Sequence, residues 1–164
     1  MRIKFSSFFW WLITSLTSGT LLAGIFLAPI LQTRWPALSA FIYALYAPLC
    51  HQQKSRSFFL AGQQLAVCSR CSGIYAGFFW CALFYPLYGK KLKNWLEQRP
   101  LLMIFSALPM VIDFSINILG LWNSPIFIKS LTGFIWSFFL PFYWFKALQE
   151  LEANKTQKRL DLQK

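Results

Sequence analysis

Four long apolar stretches constrain this chain more than any other feature: Phe8 to Leu31, Ser72 to Gly89, Leu101 to Trp122 and Ile126 to Phe145. Each runs about 18 to 24 residues, which at about 1.5 Å per residue matches the roughly 30 Å hydrocarbon core of a bilayer. Only 13% of the residues are charged and 57% are hydrophobic. A soluble domain carries roughly 25% charge, so polar cover for a soluble fold is lacking here. The reading is an all-α polytopic membrane protein of four spans, with the lipid bilayer as its first partner. Residues 1–147 form one membrane domain and 148–164 a charged tail with alternating signs. Arg2 and Lys4 precede the first stretch, which is long for a signal peptide and reads as an uncleaved anchor. With a chain of 164 residues, any chemistry has to come from the spans and the short loops between them.

A fifth apolar stretch, Trp35 to Leu49, carries Pro36 and Pro48 and is too short to cross, which suits an interfacial or re-entrant helix. The basic residues support that choice. With four crossings and the N-terminus inside, Arg2, Lys4, Lys90, Lys91, Lys93, Arg99, Lys146, Lys155, Lys158, Arg159 and Lys164 fall on the inner side. Arg34, Lys54, Arg56, Arg70 and Lys129 remain outside. A fifth crossing would invert that balance to about 6 inside and 10 outside, against the positive-inside rule. The predicted location is therefore the inner membrane, with both termini cytoplasmic and residues 32–71 extracytoplasmic. The net charge of +11 is explained by topology and attraction to anionic headgroups. The aromatic residues lie inside apolar runs rather than among arginines, which argues against nucleic acid.

Chemistry concentrates in residues 50–71. Cys50, the sole histidine His51, Cys68 and Cys71 fall together there, and a Cys-x-x-Cys pair sets two sulfurs on one side of a turn. Three cysteines and one histidine make a ligand set suited to tetrahedral Zn²⁺, with His51 alternatively supporting the ligands or transferring protons. The same pair supports a thiol-disulfide oxidoreductase, in which Cys68 and Cys71 at a helix N-terminus beside Arg70 exchange with Cys50, a quinone being one candidate electron acceptor. A structural disulfide is the third reading of these sulfurs. Cys81 follows Gly73 and Gly77 at steps of four, a small-residue stripe that lets another helix pack closely.

Asp113 is the only acidic residue within a predicted span, which makes it a functional candidate by position. Pro109, Asp113, Asn117 and Gly120 share one helix face, and the next helix begins with Lys129, Thr132 and Gly133. Arg56, Arg70, Asp113, Asn117, Lys129 and Thr132 are thus expected to form a polar pocket beneath the Cys/His loop, fit for a small anionic or lipid ligand. Asp113 has Lys129, Arg56 and Arg70 as candidate ion-pair partners. Catalytic candidates are Asp113, Cys68 and Cys71, and a metal-dependent hydrolase with Asp113 as acid or base is a further alternative.

The run Cys50-His51-Gln52, then Arg56-Ser57-Phe58, Gly62 and Val67-Cys68-Ser69-Arg70-Cys71-Ser72-Gly73-Ile74-Tyr75-Ala76-Gly77 resembles the signature of DUF2085, an uncharacterised family of small prokaryotic membrane proteins. Pro109, Asp113, Lys129 and the Thr132-Gly133 pair are similar to the second half of that signature, while Phe114 stands where a glycine is usual. The resemblance implies a membrane fold and these site positions, and it attaches no substrate. A looser architectural likeness joins the chain to quinone-linked disulfide-forming membrane proteins, whose second cysteine pair has no counterpart in the short loop around Ser124.

Overall fold

Helices account for most of the chain in the computed structural model, which describes residues 5–161. Arg2, Lys4 and Lys164 of the basic count lie outside the described residues. The helices are α1 (Phe5–Leu31), α2 (Pro36–Tyr46), α3 (Ser69–Phe84), α4 (Lys90–Glu97), α5 (Leu101–Ile118), α6 (Ile126–Phe138) and α7 (Leu140–Asp161). Three helical stretches are long and apolar enough to cross a membrane: Ser7–Leu31, Leu101–Ile118, and Ile126–Lys155 formed by α6 and α7 together. Large apolar side chains such as Leu16, Ile104, Ile118 and Phe127 stay exposed on these helices. An apolar exterior of this extent suits lipid rather than water.

Helix ends follow local chemistry. α3 stops at Phe84 and gives way to a 3-10 turn over Tyr85–Leu87, because Pro86 lacks an N–H and disfavours helical geometry in the residue before it. α5 ends before the predicted Trp122 because Gly120 adopts φ +68 and caps it, with Leu121 N–H donating to Ile116 O at 3.2 Å. The predicted span 126–145 is divided at Phe139, just ahead of Pro141, and α7 then runs through the junction with the charged tail.

Two elements have no counterpart among the predicted spans and the interfacial helix. Phe59–Leu60 and Gln63–Gln64 pair as a two-stranded antiparallel ladder, β1 and β2, so the segment between α2 and α3 is not wholly α. Ala61 and Gly62 both have positive φ, the geometry of a two-residue type I′ hairpin turn. The second is α4, an amphipathic helix held by Tyr143, whose hydroxyl donates to Leu96 O at 3.1 Å and Arg99 O at 2.8 Å.

The tightest helix pair is α3 with α6. A Cβ on Gly77 would sit 2.5 Å from Phe134 O, and one on Gly73 would lie 2.8 Å from the Ser130 carbonyl carbon. Gly133 accepts the α3 backbone at Arg70 from the other side. The small-residue stripe therefore works as expected, letting two backbones touch. Apolar cores lie at both ends of this pair. One gathers Ile25, Tyr46, Cys50, Leu65 and Val67; the other gathers Cys81, Tyr85, Leu96, Phe142 and Phe145. Cys81 is fully buried in the second and is a packing residue.

Candidate functional site

The cysteine end is assembled by backbone carbonyls that recruit polar side chains. Ser39 Oγ donates to Ala28 O at 2.7 Å and Tyr46 OH to Leu21 O at 2.5 Å, tying α2 along the second half of α1. Beyond α2, Cys50 N–H closes onto Tyr46 O at 2.9 Å, which places the Cys50 side chain inside the core at 7% exposure.

Gln52 then organises the turn. Its φ of 49 is left-handed, and its N–H points at Cys50 Sγ at 3.5 Å. Its amide nitrogen donates to Tyr43 O at 2.7 Å and Ala66 O at 2.9 Å, while its own carbonyl accepts from Gln64 Nε2 at 2.5 Å. Tyr43 OH reaches Gln64 O. One glutamine thereby stitches α2, the Cys50 turn and the hairpin strand that leads to Cys68. Gln52 stood in the sequence motif beside His51, but the signal for its role is tertiary: two carbonyls from distant segments that need a donor.

Cys68 caps α3 in extended geometry, and its N–H donates to Cys50 Sγ at 3.2 Å. Cys71 follows in the first turn of α3. The result is three free thiols, Cys50, Cys68 and Cys71, whose sulfurs lie within 4.8 Å of one another. Hydrogen bonds from the Cys68 and Cys71 side chains hold the Cys50 thiol well below its usual range, with the two backbone N–H groups adding to the effect and outweighing desolvation. His51 is exposed and is not a member of this group. A set of three soft sulfur donors, two of them opening a helix, could hold a metal ion.

Arg70, Asp113 and Asn117 of the expected pocket are brought together between α3, α5 and the loop before α6. Asp113, 8% exposed, pairs with Arg70 through Oδ2. Its Oδ1 accepts from Ser124 and from Asn117 Nδ2 at 3.2 Å, and Asn117 also donates to Ser124 Oγ at 2.6 Å. Of the three candidate partners, Arg70 holds the carboxylate. Its guanidinium also stands over the Phe114 ring, 5.4 Å from the centroid, which gives Phe114 a packing role. Lys129 is 3% exposed and donates to Asn123 Oδ1 at 3.1 Å. Thr132 Oγ1 turns back to Lys129 O at 3.1 Å, while Arg56 is half-buried in the loop. Ser124 and Asn123 were absent from the expected pocket; no periodic or spacing signal marks a loop residue that meets Asp113 only in the fold.

Buried apolar cores at both ends, an apolar exterior, a close α3–α6 pair and a thiol cluster over a buried ion pair define a small helical membrane protein whose cysteines could hold a metal. The family model of predicted membrane proteins, DUF2085, matches residues 50–143, and the chain belongs to that family. An uncharacterised protein of Methanocaldococcus jannaschii is 37% identical over 125 residues, covering 73% of this chain and 80% of the relative. An uncharacterised protein of Methanothermobacter thermautotrophicus is 32% identical over 85 residues, covering 52% of this chain and 74% of the relative. No solved structure matches the chain.

Proposed function

We propose that this is a four-span inner-membrane protein in which Cys50, Cys68 and Cys71 bind Zn²⁺ at the extracytoplasmic surface, above the polar pocket. The convergence of three sulfurs from segments 18 residues apart in sequence, two of them opening a helix and the third accepting two backbone N–H groups, carries the metal reading. Amide donors that favour a thiolate pre-organise it as a ligand. His51, exposed and next in sequence to Cys50, is the candidate fourth donor. Bound zinc would supply a cross-link that fixes the irregular 50–71 loop and adds its binding free energy to folding. The fourth span is α3 continued through its 3-10 turn, α2 lies at the interface, and the positive-inside count sets the orientation.

Elemental analysis of detergent-purified full chain, with Cys50→Ser, Cys68→Ser, Cys71→Ser and Cys81→Ser compared, tests the site. The expected result is about one zinc per chain in the natural protein and in Cys81→Ser, and loss of it in the other three. No metal, together with a Cys68–Cys71 disulfide that cycles with quinone, would replace this reading with the thiol oxidoreductase.

A further inference from the structure

The charge balance at the cysteine end does not close. The chain has five Asp and Glu, and four of them, Glu97, Glu150, Glu152 and Asp161, lie on α4 and α7. Asp113 is therefore the single side-chain carboxylate available to Arg56, Arg70 and Lys129. Both its oxygens are occupied, Oδ2 by Arg70 and Oδ1 by Ser124 and Asn117. Lys129 is almost wholly enclosed, and the partner of its ammonium is a neutral amide oxygen at 3.1 Å. Arg56 stands two residues before Phe58, which lines one cavity with Ser130, the residue after Lys129, so the Arg56 loop lies against the same end of α6. Among the described residues the Arg56 side chain has no hydrogen-bond or ion-pair partner, and the buried Arg70 Nε has none either.

A cation removed from water needs a counter-charge, and most of all beside lipid. Two positive charges remain without one, and a neutral amide does not supply it. The Asn123 side that faces Lys129 belongs to the exposed loop between α5 and α6, so an ion reaching the surface there meets the ammonium by joining or displacing that amide. We propose that Lys129 and Arg56, with the charge of Arg70 in support, bind a phosphate-type oxyanion at the cysteine end of α5 and α6, entered past Asn123. A tetrahedral oxyanion offers several acceptors to an ammonium and a guanidinium at once, which a monatomic anion does not. The same chemistry is presented by inorganic phosphate and by the headgroup of an anionic phospholipid. The site uses no sulfur and stands independently of the metal.

Detergent-purified full chain, Lys129→Met and Arg56→Gln are titrated with inorganic phosphate against chloride at matched ionic strength, and each is mixed with phosphatidylglycerol or phosphatidylcholine micelles and read by native mass spectrometry. The expected result is phosphate binding, or selective retention of phosphatidylglycerol, weakened about tenfold or more in Lys129→Met and several-fold in Arg56→Gln. Binding of phosphate identifies the free anion as the source, and retention of phosphatidylglycerol alone identifies the headgroup. Arg56→Gln, at a half-buried loop position, carries the test if Lys129→Met fails to fold. Zinc content is measured on the same samples, so that loss of the anion with metal retained is distinguished from failure of the cysteine site. Binding unchanged in both variants, no binding of either probe, or an equal response to chloride overturns the proposal.

Discussion

Replacing Asp113 by Asn probes the internal electrostatics of the bundle at one atom. The change keeps the side-chain volume and an oxygen for Ser124 and Asn117, but removes the negative charge that faces Arg70. Arg70 keeps the Phe114 face at 5.4 Å, which offsets only part of the loss. Breaking a buried pair by removing one partner costs about 3–5 kcal/mol, and Asp113 at 8% exposure belongs in that class. Arg70→Met should cost a similar amount by leaving the carboxylate behind. The double variant Arg70→Met/Asp113→Leu leaves no charge between α3 and α5 and should be far less destabilised than the sum of the single changes, with a coupling of about 2 kcal/mol or more. Unfolding of the purified proteins by denaturing detergent, followed by circular dichroism, gives the four stabilities of the cycle. Additive single effects, with coupling below about 0.5 kcal/mol, would refute the view that the pair joins α3 to α5.

Gly73→Ala should push α6 away from α3, since the new methyl meets the rigid Ser130 carbonyl group; overpacking of this kind costs about 1–3 kcal/mol and would show as a lower thermal midpoint. Gln52→Ala strands the carbonyls of Tyr43 and Ala66, and should destabilise the cysteine end by about 1–3 kcal/mol while speeding hydrogen exchange of residues 64–68 before that of α7. In metal-stripped protein the Cys50 thiolate should persist as pH falls below the ordinary thiol value of 9.0, because its pKa is lowered in the fold; ultraviolet thiolate absorbance follows this, and its disappearance at the ordinary value would contradict the hydrogen-bonded sulfur.

Apolar length was enough to mark three membrane-crossing stretches, because a span must satisfy its own backbone over a fixed thickness, while the predicted span Ser72 to Gly89 became the shorter α3 and α4 had no apolar run to mark it. The ends shifted where a single residue decides the backbone: Pro86 after α3, Gly120 after α5 and Pro141 at the α6–α7 break. The cysteines were legible since a Cys-x-x-Cys pair acts locally, and Cys50 joins it through the Cys68 N–H. His51 shows the limit of that reasoning: adjacency in sequence sends neighbouring side chains in different directions, and the turn at Gln52 takes Cys50 inward and leaves His51 exposed. Asp113 announced itself by being a lone acid in an apolar run, but its choice of Arg70 over Lys129 depends on how α3 docks, which Gly133 sets by admitting the Arg70 backbone. Ser124 carries no pattern at all, and only the fold reveals it as a partner of the carboxylate.

X-ray absorption at the zinc edge of the purified full chain tests the central claim most directly. The account predicts three sulfur neighbours at about 2.3 Å and one lighter nitrogen or oxygen donor. A zinc-free protein, or a metal surrounded only by light donors, would contradict it.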